Sequence, residues 1–240
     1  MSRRRSRSQS RRFWPLLPVC AISIVAVQAA TLGGLTARSL LAASQSSSAP
    51  TATVTGCDNF TGTTGATLAG RAAQSPTTCV SRVWSVHGGT WTIQTNQAAS
   101  SATVDAVATE NITTADTTVQ VVLSNLNTGG RIGGVVNSHD GTSTYLAAVM
   151  TDATPDRVEL RLVVGSSPTV LTTVNPTFAT TNTLALGRSG TALTVTLNST
   201  SIISYTLSAA QVTSLGSGTR GGLYGGNLSV RYDNFLVTFP

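Results

Sequence analysis

Lysine is missing from this chain: all fifteen basic residues are arginine. Such uniform usage is the codon fingerprint of a GC-rich genome and points to a bacterial source. Glutamate is almost absent, with only Glu110 and Glu159, and the histidines are two, His87 and His139. The net charge of +6 suggests a polyanionic partner until its location is read. Arg3, Arg4, Arg5, Arg7, Arg11 and Arg12 crowd the first twelve residues, leaving nine arginines against nine acids in the rest. That remainder is neutral, so no nucleic-acid partner is expected.

The shortage of acids also argues against an enzyme. Glycoside hydrolysis normally needs two carboxyls facing the scissile bond, ~5–5.5 Å apart for retention or ~6.5–9.5 Å for inversion. Glu159 lies in "DRVELRLVV", where alternation puts Arg157, Glu159 and Arg161 on one strand face and Val158, Leu160 and Leu162 on the other. Flanking arginines hold a carboxylate ionised, whereas a general acid must carry a proton. An ion-pair ladder on the solvent face is the expectation. Ser138, His139 and Asp140 are consecutive, so on an extended strand they point to opposite faces and form no relay. No catalytic residue is assigned. "TGGRIGG" lacks the following helix and the Lys-Ser/Thr pair of a phosphate cradle, which leaves glycine in a twisted strand.

What the chain does have begins with an uncharged run from Phe13 to Ala37, preceded by arginines and followed by small residues at "LLAAS". Basic start, apolar middle and small-residue site are the layout of a secretory signal. The apolar part exceeds the usual ~7–15 residues, so an uncleaved anchor of ~20 residues is the alternative. Residues 1–43 are therefore an apolar leader helix, signal peptide or anchor, and 44–56 ("SQSSSAPTATVTG") a flexible spacer. Cleavage removes Cys20 and leaves Cys57 and Cys79, an even pair in an oxidising compartment. A bridge over a loop of ~22 residues adds ~3 kcal/mol. Free or metal-bound thiols are the alternative, disfavoured because no histidine lies at ligand spacing. The expected location is extracellular or cell-surface, with membrane contact only through an uncleaved leader.

From Cys57 to Pro240 apolar residues alternate with polar ones, and Thr, Val, Ser, Gly and Leu dominate. That pattern predicts an all-β domain. The clearest strands are 117–125, 156–165, 191–200 and 200–208; weaker ones are 83–86, 90–95, 130–138, 144–151, 182–190 and 227–239. "RSGT" and "NST" read as turns joining three consecutive antiparallel strands, and "SAAQVTSL" (208–215) as a short helix opened by Ser208. About a dozen short strands suit a two-sheet sandwich.

Four stretches in order, "CDNF…LAGR" (57–71), "WSVHGGTWTIQTNQA" (84–98), "TVTLNSTSIISYTLS" (194–208) and "RGGLYGG…RYDNFLVT" (220–238), resemble the concanavalin A-like, LamG-type jelly-roll modules of secreted bacterial and phage-tail proteins. The resemblance implies two curved antiparallel sheets with first and last strands side by side. It also implies glycan binding in many members, a structural Ca²⁺ in some and glycoside hydrolysis in others. Ser199 stands where the family's turn usually has Gly, and the Cys57/Cys79 pair is not a general family feature.

A glycan or another envelope polymer is thus the expected partner. Trp84 and Trp91 belong to the family's W-x-V-x-G-x-W pattern and are assigned to the core; Tyr145, Tyr224, His139 and Asp140 are the surface candidates for a ligand. No cofactor is required. The tripeptide Asp-Asn-Phe occurs twice, at 58–60 and 233–235. If the end strands pair, Phe60 and Phe235 face the core while the Asp and Asn side chains satisfy turns. The alternative is that Asp58 and Asp233 offer hard oxygens to one structural calcium. A structural or adhesive protein without a small ligand, and a diverged glycoside hydrolase, remain as other functional readings.

Overall fold

The computed structural model describes residues 53–74, 79–101, 105–126, 129–226 and 229–239. The chain divides into two units, Met1–Ser47 and Ser48–Pro240, and everything described belongs to the second. The leader expected over 1–43 and most of the spacer lie outside the described residues.

The strands are β1 (Val54–Asp58), β2 (Ser85–Val86), β3 (Trp91–Ile93), β4 (Ala98–Ser100), β5 (Ala106–Asn111), β6 (Thr118–Ser124), β7 (Ile132–His139) and β8 (Tyr145–Thr151). They continue with β9 (Arg157–Val164), β10 (Ser167–Val174), β11 (Thr181–Ser189), β12 (Ala192–Leu197), β13 (Thr200–Thr206), β14 (Arg220–Gly225) and β15 (Arg231–Thr238), with one helix, α1 (Ala209–Leu215). One sheet runs β13-β12-β11-β6-β15-β4-β3 with β1 added on β15; the other runs β10-β9-β8-β7-β14-β5-β2. The pairings are antiparallel throughout. This is a two-sheet jelly roll. First and last strands pair as expected, Cys57 opposite Leu236 and Asp58 opposite Phe235. Because β1 begins at Val54, the spacer's last three residues belong to the fold.

Alternation builds two apolar layers. Leu146, Ala148 and Met150 of β8 join the main core between the sheets, while Tyr145, Ala147 and Val149 join a smaller cluster with Val107, Val136, Val163 and Tyr224 on the other face. That second cluster is the floor of the outer face of the seven-stranded sheet. Trp84 and Trp91 are both buried. Trp84 packs between Phe60 and Phe235, at centroid distances of 5.7 and 4.9 Å. Each such aromatic pair is worth ~0.5–1.5 kcal/mol beyond its buried area.

Glycine makes the tight approach of the sheets possible. A Cβ on Gly133 would come within 2.9 Å of Leu123, the Tyr232 hydroxyl and Val230. Tyr232 uses that space to donate from its hydroxyl to the Tyr224 carbonyl, 2.7 Å away. Asn137 ties the layers together, its amide donating to the Thr117 and Leu186 carbonyls at 3.0 and 3.2 Å.

Candidate functional site

The repeated Asp-Asn-Phe comes first, because the end strands bring its two copies together. Asp58 is buried and its carboxylate is filled by protein donors. Oδ1 accepts from the Phe60 and Gln74 amides at 2.7 and 3.2 Å. Oδ2 accepts from Arg71 at 2.6 Å and from the Trp84 indole at 2.8 Å. Asp233 is half-buried and accepts from the Asn234 amide at 2.7 Å. The residues present do not fit the calcium site expected at Asp58 and Asp233: Arg71 is the counter-charge, and four donors occupy the oxygens a cation would need. Among the described residues no group of three or more His, Cys, Asp or Glu is placed to hold a metal ion. Cys57 and Cys79 are disulfide-bonded, with Cα atoms 5.8 Å apart. The bridge lines a cavity of about 280 Å³ together with Asn59, Gln120, Asn234, Phe235 and Leu236.

A smaller pocket of about 120 Å³ opens at one end of the seven-stranded sheet. Its walls come from four places in the chain. His87 follows β2, Asp105 precedes β5, His139 ends β7, and Thr142, Ser143 and Ser166 belong to the turns flanking Tyr145 and β10. The rings of His87 and His139 lie 4.2 Å apart, and Tyr145 stacks on His139 at 5.2 Å and 15°. Among the described residues, this pocket's lining includes a buried side-chain atom without a hydrogen-bond partner, which the larger cavity's does not.

His139 is fully buried. The Gly141 amide donates to its Nδ1 at 2.8 Å, so the neutral ring carries its proton on Nε2. Nε2 has no hydrogen-bond partner. Burial, then the neighbouring His87, push the His139 pKa down to about 4, against the pull of Asp140. His87 is likewise lowered, by burial and then by Arg220, and its Nε2 lies 2.8 Å from the Thr109 hydroxyl. At neutral pH both rings are uncharged, and the His139 Nε2–H has no protein acceptor among the described residues. A buried orphan of this kind costs ~1–3 kcal/mol unless something else fills it.

Of the four residues expected to meet a ligand, His139 and Tyr145 line the pocket and the other two build it. Asp140 folds the β7–β8 turn: Oδ1 accepts from the Thr142, Ser143 and Thr144 amides at 2.7, 3.0 and 3.1 Å, and Oδ2 from the Thr142 hydroxyl at 2.8 Å. Despite the opposing effect of burial, these bonds bring its pKa down to about 2. Tyr224 is 2% exposed, too deep for a platform. Its hydroxyl donates to Asp105 Oδ1 and accepts from Arg161 at 3.0 Å. Arg161 in turn pairs with Glu159 at 2.6 Å, and Arg157 holds the other Glu159 oxygen at 2.8 Å. The ion-pair ladder is present, but Glu159 is buried rather than on a solvent face, because the second apolar cluster and these long side chains cover it. His87 and Asp105 were missed. They are far from His139 in sequence, and only strand order brings them to it.

No protein-family model matches the sequence, and no curated protein matches it. Solved structures do match the fold. The carbohydrate binding module CBM66 from Bacillus subtilis superposes with a TM-score of 0.56 at 14% identity, over 65% of this chain and 94% of that one. The CBM2 module of the evolved Dit protein of Lactobacillus casei BL23 phage J-1 gives 0.50 at 11%, over 78% and 96%. A GH43 protein from Bacillus licheniformis gives 0.53 at 10%, over 77% of this chain, which spans 39% of that protein's length. At these identities the likeness is one of fold, a two-sheet jelly roll.

Proposed function

We propose that the domain is an exported, non-catalytic carbohydrate-binding module at the cell surface, taking a glycan at the His139 pocket. The observation that carries this reading is the buried, unpartnered Nε2–H of His139, a residue that lines a pocket together with a second imidazole, a carboxylate and hydroxyls. A sugar hydroxyl both accepts and donates, so it satisfies the histidine and Asp105 together. Two solved structures of the same fold are named as CBM modules, one of them explicitly a carbohydrate binding module. The disulfide agrees with an oxidising, extracellular setting.

The pocket's size supports contact with the edge of one sugar unit. Sites that enclose a drug-sized molecule measure ~300–1,000 Å³, well above the volume here. Affinity then comes from hydrogen bonds rather than ring stacking, since Tyr145 is only 6% exposed. Hydrolysis is disfavoured: Asp105 is the one carboxylate lining the pocket, Glu159 is clamped by arginines and Glu110 faces the interior. The test is a glycan array probed with the chain from Val54 to Pro240, with peptidoglycan and capsular polysaccharides included. Saturable binding lost in His139→Ala is expected. No binding to any glycan would leave the structural or adhesive reading, and turnover of a polysaccharide would make the domain an enzyme.

A further inference from the structure

We infer that the His139 pocket selects a neutral, hydroxyl-bearing sugar edge and rejects a carboxylated or sulfated one, with Asp105 as the residue that discriminates. This deepens the carbohydrate reading and rests on it. The two fixed polar groups are complementary to a pair of neighbouring hydroxyls. Asp105 Oδ1 is engaged by the Tyr224 hydroxyl, which leaves Oδ2 to the pocket as an acceptor. His139 Nε2–H is the matching donor. One hydroxyl donates to the carboxylate, and its neighbour accepts from the imidazole.

An anionic substituent meets the opposite conditions. Among the described residues Asp105 is the only formally charged side chain on the pocket wall, and it repels a second negative charge beside it, an effect that solvent at this exposed residue screens in part. The cations nearby are turned elsewhere. Arg161 spends Nε and Nη2 on Glu159 and Nη1 on Tyr224. Arg220 donates from Nη2 to the Ser85 hydroxyl at 3.2 Å, and its unpartnered Nη1 is buried outside the pocket wall. The Glu159–Arg161–Tyr224 chain therefore acts as the positioning device for Asp105. It fixes one carboxylate oxygen and presents the other.

The experiment uses matched polymers: galactan with polygalacturonate, mannan with polymannuronate, and cello-oligosaccharide with cellouronate, measured by titration calorimetry at low salt. The wild-type domain is expected to bind at least one neutral member at least about tenfold more tightly than its uronate. Asp105→Asn keeps an oxygen for Tyr224 and is expected to shrink that ratio below about threefold. Should that variant fail to fold, the wild-type ratio in high salt serves instead, since screening must also reduce it. Equal binding of both members, a preference for the uronate, or a ratio that neither Asp105→Asn nor salt moves would overturn the selectivity while leaving carbohydrate binding intact. Binding to neither member of any pair, nor to anything on the glycan array, would overturn both.

Discussion

Glu110 faces inward from β5, fully buried, with neither carboxylate oxygen hydrogen-bonded. Burial and then the charge of Asp58 push its pKa from 4.5 up to about 8, against the pull of Arg82 and Arg71. The folded chain therefore keeps a proton that the unfolded chain has lost. Stability from this group is full below pH 4.5 and declines as the pH rises to about 8. Glu110→Gln removes the titration. We predict a variant that melts higher than wild type at pH 8, by about 2–5 kcal/mol of stability, with a flatter dependence of Tm on pH; parallel curves would contradict this. Asp58 is the converse case, a buried charge with every oxygen paired. Asp58→Ala strands Arg71 and the Trp84 indole, and urea unfolding should register a loss of about 3–5 kcal/mol. EDTA should leave the wild-type melting curve unchanged, and a fall would return a cation to the pair. The sequence made Asp58 conspicuous through its repeat but could not indicate its partners, because Arg71, Gln74 and Trp84 reach it only after the chain folds.

Elements were legible wherever side chains alternate. Each of the ten strands expected from the pattern is present, as is α1, capped by Ser208 with Gln211 in a reciprocal box. The unexpected strands share a physical reason: they carry little apolar contrast. β4 and β5 are built on alanine, β10 is an exposed edge strand containing Pro168, and β14 is glycine-rich. In β14 the glycines answer to packing, since a Cβ on Gly225 would meet Ser100 at 2.7 Å and Trp91 at 3.0 Å. The β12–β13 turn carries a testable cost. Asn198 and Ser199 have φ of 50° and 66°, a left-handed pair for which asparagine is suited and serine is not. Ser199→Gly should stabilise the domain by about 0.5–1 kcal/mol in thermal or urea unfolding, and destabilisation would count against this reading of the turn.

At the scale of the whole molecule, the disulfide closes a loop with a separation of 22 residues at the start of the fold. Its reduction should cost about 3 kcal/mol, measured as a drop in Tm under reductant that a Cys57→Ser/Cys79→Ser double variant reproduces. The all-β sandwich and its paired ends could be read from alternation and motif order, whereas the pocket could be read only halfway. His139 and Tyr145 stood out as polar and aromatic residues around one turn. Their partners His87 and Asp105 arrive from β2 and β5, across the β7–β14–β5–β2 side of the sheet, and no local signal marks them. The His139 pocket and the larger Cys57–Asn234 cavity are alternative glycan sites, and one spectrum separates them. In long-range proton–nitrogen spectra of labelled protein titrated with the tightest glycan from the array, the His139 Nε2–H resonance should shift saturably with the calorimetric Kd. Residues around Cys57 and Asn234 should stay still. Shifts confined to the Cys57–Asn234 cavity, with His139 unmoved, would contradict the account.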